Sequence, residues 1–169
     1  MRIRPSVYLD TNIFSTMFYR GRNPATIACR NTTREWWNVE RTSFTIVSSA
    51  YTEIELTGGK FHGQDRALAL IKRQHYLVRN KEAELLALKY INEKLVPETK
   101  LGDAVQLALA TAHGIDYLLT WNYAHLANVE TQRRLMDVNA RLSLRSPLLV
   151  SPDTIPKSAL GQSIRRKDK

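Results

Sequence analysis

Short apolar runs alternate with stretches of helical periodicity along this chain. Val7, Tyr8 and Leu9 are strand formers that stop at Asp10, and Ile13, Phe14, Met17 and Phe18 then recur at the spacing of one helix face. The same alternation predicts strands over residues 6–9, 44–48, 76–78, 117–120 and 148–150. Between them it predicts a first helix from residue 13, then helices over 25–41, 50–56, 64–72, 81–94, 101–113 and 129–142. Gly21 to Pro24, Gly58-Gly59, Pro97 and Gly114 supply the breaks. Residues 25–41 set Ile27, Trp36, Trp37 and Val39 among many polar positions, as a solvent-facing helix does.

Strands that alternate with helices argue for an α/β sandwich around a mainly parallel sheet, because parallel neighbours need helical crossovers. Sheets of that kind bind ligands at the carboxyl ends of their strands, and Asp10 and Asn122 each follow a strand. Residues 1–157 are read as one domain. Residues 158–169 carry little apolar content and end in Arg165-Arg166-Lys167-Asp168-Lys169, so they are expected to form a basic, disordered tail.

The 25 Lys and Arg against 16 Asp and Glu leave a net charge of +9, which directs attention to polyanions such as nucleic acid. Cys29 is the only cysteine, so an intramolecular disulfide is excluded and a reducing cytoplasm is the expected location. No apolar run approaches the ~20 residues that span a bilayer, and a signal-peptide core is interrupted at Asp10, so no membrane partner is expected.

Three acids stand out by position. Asp10 precedes Thr11 and Asn12 at the end of the first strand, where helix capping is the competing explanation. Glu55 lies on the helix after the second strand, and Glu53, two residues away, competes for the same role on a different face. Asp103 opens the helix over 101–113, where an acid also complements the helix dipole. Thr120 and Asn122 follow the fourth strand, with His125 close behind. Carboxylates, amides and hydroxyls together make a hard-oxygen ligand set suited to Mg²⁺ or Mn²⁺.

The ordered segments Val7-Tyr8-Leu9-Asp10-Thr11-Asn12, Glu55-Leu56, Asp103-Ala104 with Leu107-Ala108 and Ala110, and Leu118-Leu119-Thr120-Trp121-Asn122 resemble the PIN-domain pattern. The likeness is to the VapC-like toxin branch whose last motif reads Thr-Trp-Asn before a His, and Thr33-Arg34-Glu35-Trp36-Trp37 resembles that branch as well. The resemblance implies a PIN-like three-layer sandwich and a divalent-metal-dependent endoribonuclease of a toxin–antitoxin pair. It implies Asp10, Glu55 and Asp103 as ligands of Mg²⁺ or Mn²⁺ and Asn122 as a fourth catalytic position. Thr11, Asn12, Thr120 and His125 support them. It also implies an RNA substrate, a homodimer and a small antitoxin partner. Many such nucleases carry an Asp where this chain has Asn122, which lowers the charge of the site.

Arg20, Arg22, Arg79 and Lys81 are candidate contacts to the RNA backbone, as are Lys72, Arg73, Arg133 and Arg134. Trp36 and Trp37 suit either base stacking or one core and one interface contact. The alternatives are a catalytically weakened module that binds RNA or a protein without cutting, and a nuclease directed at DNA. A haloacid-type phosphatase is set aside because Asn12 stands where its second Asp is needed.

Overall fold

The protein is described by a computed structural model covering residues 4–157, so the expected tail at 158–169 lies outside the described residues. Strand β1 (Ser6–Leu9) leads into α1 (Thr11–Met17) and α2 (Pro24–Val39). Strand β2 (Thr45–Ser49) is followed by α3 (Ala50–Gly58) and α4 (Gln64–Ile71), and β3 (His75–Leu77) by α5 (Lys81–Asn92) and α6 (Leu101–Ala112). Strand β4 (Tyr117–Leu119), α7 (Val129–Arg141) and β5 (Leu148–Val150) complete the described chain.

The five strands form one sheet in the order β3-β2-β1-β4-β5, and every pairing is parallel. The chain steps outward from β1 through β2 to β3, then returns to the other side of β1 for β4 and β5. Right-handed crossovers in opposite directions place their helices on opposite faces of a sheet. Two cores result. Val7 and Leu9 point to one face, where Ile13 and Phe14 of α1, Trp36 of α2, Leu56 of α3 and Ile71 of α4 pack. Tyr8 points to the other, among Leu86 and Tyr90 of α5, Leu107 of α6 and Leu135 of α7. The reversal falls between β1 and β4, and a crevice at such a switch point is where this architecture binds ligands.

Local chemistry sets the helix starts. Asn23, Ser49, Asn80 and Asn128 each accept a backbone N–H three residues on, and Pro24 fits a first-turn position that needs no donor. Gly114, at φ +63°, follows α6 in the left-handed conformation that L side chains rarely adopt.

The second helix departs from its solvent-facing expectation. Trp36 is 2% exposed, Thr33 is fully buried, and the helix stops at Val39 before a 3₁₀ turn over Arg41–Ser43. Its low mean apolar content hid one buried stripe. Strand β3 sits one residue earlier than expected, because Leu77 rather than Val78 faces the core. Among the described residues no helix is long and apolar enough to cross a membrane.

Candidate active site

The carboxyl ends of β1 and β4 are tied together side chain by side chain. Asn12 donates Nδ2 to Asp10 Oδ2 at 2.7 Å and to Thr120 Oγ1 at 2.9 Å, while its Oδ1 accepts the Trp121 N–H at 3.0 Å. Thr120 in turn donates to Asp10 Oδ2 at 2.5 Å. Asp10 occupies the N-cap position of α1 without any side-chain cap bond, so capping does not explain it. Its carboxylate is turned away from the helix and into the crevice network.

Glu55 reaches the same place from α3. Its Oε2 accepts the Thr11 hydroxyl in a short hydrogen bond and the Gln106 amide at 3.0 Å. Glu53 is held elsewhere, by Tyr76 at 2.9 Å and Lys72 at 3.6 Å, which leaves Glu55 as the acid of the crevice. Asp103 arrives from the first turn of α6, where its Oδ2 accepts the Asn122 amide at 2.9 Å.

Each residue of the Thr-Trp-Asn segment thus has a separate task. Thr120 orients Asp10, and Asn122 orients Asp103 while accepting the His125 N–H on its Oδ1 at 3.1 Å. Trp121 anchors the segment by donating Nε1 to Thr33 of α2 at 2.8 Å. His125 lies near enough for its charge to favour ionised Asp103.

Asp10 feels both of the other acids electrostatically. Burial pushes Asp10 up to about 6 against the donation from Thr120, and the charges of Asp103 and Glu55 push in the same direction. Asp103 is also raised, first by burial, with the Asn122 amide opposing. Like charges held this close in a desolvated crevice call for a counter-charge.

Three contributors were not singled out from the sequence. Gln106, 2% exposed, donates to Glu55 at 3.0 Å and lies close enough to Asp10 to favour its ionised form, yet its Oε1 is buried without a partner. It lies one turn beyond Asp103 as a lone amide among buried Leu and Ala, and that isolation is its sequence signal. Tyr51 is pushed up to about 12, mainly by burial and then by Glu55, to which it hydrogen-bonds. Gly102 has no side chain to signal a role. A Cβ there would stand 2.6 Å from Glu55 Oε1 and 2.9 Å from the Tyr51 hydroxyl oxygen, so glycine is what lets Glu55 lie against α6.

The donor set suits a hard divalent cation, since Asp10, Glu55 and Asp103 supply carboxylate oxygens. Among the described residues there is no group of three or more Asp, Glu, His or Cys side chains placed to hold a metal ion. Mg²⁺ does not require one, since it keeps several waters and is commonly held by one or two carboxylates and a phosphate.

The basic candidates lie outside this network. Arg20 and Arg22 are exposed beyond α1 and make no ion pair among the described residues. Lys81 is exposed at the start of α5. Arg79 pairs with Glu84 at 2.7 Å, Arg133 pairs with Glu130 at 3.0 Å, and Arg134 donates to the Glu93 carbonyl at 2.8 Å.

No family model matches this sequence, and no curated protein matches it. Among solved structures, a chain from a toxin–antitoxin complex of Klebsiella pneumoniae is similar at a TM-score of 0.54. The match covers 86% of this chain and 97% of that one at 21% identity, which shows a shared fold.

Proposed function

We propose that this chain is a Mg²⁺- or Mn²⁺-dependent endoribonuclease, the toxin of a toxin–antitoxin pair. The observation that supports it best is the buried Asp10 carboxylate, raised to about 6 with Asp103 and Glu55 both contributing, at the switch point of the sheet. Bound there, the ion would supply Lewis acidity toward the scissile phosphodiester and lower the pKa of the attacking water. Asp10, Glu55 and Asp103 are the residues to hold it. Thr120 and Asn12 orient the first, Thr11 and Gln106 the second, and Asn122 the third.

The net charge of +9 favours a polyanionic substrate, and the shared fold with a chain of a toxin–antitoxin complex favours the toxin role. The resemblance in sequence adds a homodimer held by a small antitoxin and acting on cytoplasmic RNA.

One observation favours a second reading, a module that binds RNA or protein without cutting. Asn122 places a neutral donor against Asp103 where many related nucleases carry another acid. Both readings are separated by incubating total cellular RNA with purified protein and Mg²⁺ or Mn²⁺, beside an EDTA control and the Asp103→Asn variant. Discrete fragments that need both metal and Asp103 establish the nuclease. RNA bound but left intact, with metal bound and the fold preserved, establishes the binding module.

A further inference from the structure

We propose that a pocket at the far end of α1 is a subsite for single-stranded RNA, taking a nucleobase against Tyr19 and Phe61 and its phosphate on Arg20. The inference rests on the ribonuclease reading and names where that substrate lies.

The pocket has a volume of about 490 Å³, and Ser15, Thr16, Tyr19, Arg20, Phe61 and His62 line it. Its position follows from the helix that also carries the acid site. Ile13, Phe14 and Met17 bury one side of α1, which leaves Thr11, Ser15 and Thr16 on the other. Thr11 touches Glu55, and Ser15, four residues on, lies one turn further along the same face. At 1.5 Å per residue, that face runs from the carboxylates to Ser15 in about 6 Å. The opposite wall follows the same course, since α3 supplies Glu55 at the acid end and the segment after α3 supplies Phe61 and His62 at the pocket end. The pocket therefore begins about one helical turn along α1 from Thr11, the contact of Glu55.

The chemistry changes along that course from anionic to aromatic and basic. Arg20 and Arg22 are exposed and make no ion pair among the described residues, so their charge is available to a phosphate. Tyr19 is already fixed as a wall. Its hydroxyl accepts the Asn23 N–H at 3.3 Å, its carbonyl accepts Arg30 Nη1 at 3.2 Å, and its ring covers Gly21 so closely that a Cβ there would lie 2.0 Å from the hydroxyl oxygen. A rigid aromatic face beside a free guanidinium is the combination that stacks bases without strict sequence preference. Hydroxyls at Ser15 and Thr16 add hydrogen-bonding groups at the rim.

The test measures binding of a short, fluorescein-labelled single-stranded RNA by anisotropy in EDTA, where cleavage is absent, and then KM and kcat with Mg²⁺. Three variants are compared with the wild type: Tyr19→Ala, Arg20→Ala and Thr26→Trp, the last filling the pocket from Thr26, which also lines it. Tyr19→Ala is expected to weaken binding by about five- to a hundredfold, the range for loss of one stacked base. Arg20→Ala is expected to lower the salt dependence by about one counterion. All three should raise KM more than they lower kcat, with Mn²⁺ affinity unchanged and each variant still folded at the assay temperature. If all three bind the RNA as the wild type does while RNA is still cut, the subsite is overturned, the pocket belongs to another ligand such as a protein partner, and the nuclease stands. If the wild type neither binds nor cuts RNA, the nuclease reading falls and takes the subsite with it.

Discussion

Asn122 faces Asp103 with its amide nitrogen, Nδ2 to Oδ2 at 2.9 Å, while the oxygen of the same amide accepts the His125 N–H at 3.1 Å. The two bonds fix the amide's orientation, since turning it over would set oxygen against carboxylate and NH₂ against N–H. Asn122 therefore holds Asp103 as a donor. In Asn122→Asp the oxygen facing His125 is retained and a negative charge replaces the donor beside Asp103. Mn²⁺ affinity should rise by about tenfold or more, the scale of an altered partner of a metal-binding carboxylate. The metal-free protein should melt lower than wild type, because the new charge repels Asp103. Titration calorimetry and metal-free melting check both; an unaltered Mn²⁺ affinity would place position 122 outside the influence of the ion. Asp103→Asn in the same experiments should abolish Mn²⁺ binding and keep the fold.

Gly102→Ala probes the close approach of α6 to Glu55. Alanine is the better helix former by about 1 kcal/mol, so the fold should hold or gain slightly. The added methyl nevertheless meets Glu55 Oε1 at 2.6 Å and the Tyr51 hydroxyl at 2.9 Å, and both flexible side chains must move. Expected together are an unchanged or higher melting temperature and a tenfold or greater loss of metal affinity, the order seen when a ligand's support is disturbed. A variant that melts higher and binds Mn²⁺ normally would show that Glu55 needs no such contact with α6.

The sequence made the sheet legible because its strands are nearly continuous apolar runs that end in polar residues, as at Leu9-Asp10 and Leu119-Thr120. It also pointed to the three acids, whose positions after β1, on α3 and on α6 converge once the strand order is known. Glu53 and Glu55 stayed indistinguishable because both lie on α3, and only Tyr76 and Lys72, brought in from β3 and the end of α4, decide between them. The pair Trp36 and Trp37 suits one core and one interface residue, but which was which stayed open for a related reason. The helix carrying them averages polar, and their adjacency does not say which of the two is buried; Trp36 packs into the core and Trp37 only partly.

Thr120 connects three partners through one hydroxyl. It donates to Asp10 and accepts from the Asn12 amide at 2.9 Å and the Asn122 N–H at 3.0 Å, at a position with no exposure. Thr120→Val keeps the shape but leaves both donors without that acceptor. Asn12 keeps its bond to Asp10, so a loss of about 1–2 kcal/mol is expected, on the order of one donor left without its acceptor. Thr120→Ser restores the hydroxyl and should recover most of it. Denaturant unfolding of the pair decides the matter: a Val variant as stable as wild type, with the loss confined to Ser, would assign the role of position 120 to the methyl group and not to the network.

Asp10 gives the metal-free protein an unusual pH dependence. An ordinary aspartate titrates near 3.8, and burial with two acidic neighbours raises this one to about 6. Below about 4 the group is protonated in both the folded and unfolded chain and contributes no difference. Between about 4 and 6 the folded protein keeps a proton that the unfolded chain has released, so stability falls as pH rises. Above about 6 the full penalty is present, with a ceiling on the order of 3 kcal/mol at 1.36 kcal/mol per unit. Other carboxylates contribute in the opposite sense; Glu93 is held low by Lys89 and Arg141, so the useful quantity is the difference between wild type and Asp10→Asn. In EDTA the variant should be as stable as wild type at pH 4 and more stable at pH 8. Added Mg²⁺ should then raise the wild type more than the variant, because the variant lacks the buried carboxylate whose charge the cation offsets and keeps only Glu55 and Asp103. Metal-free melting curves that run parallel across this range would show that Asp10 is ionised without strain, and the case for a cation in the crevice would lose its main physical support.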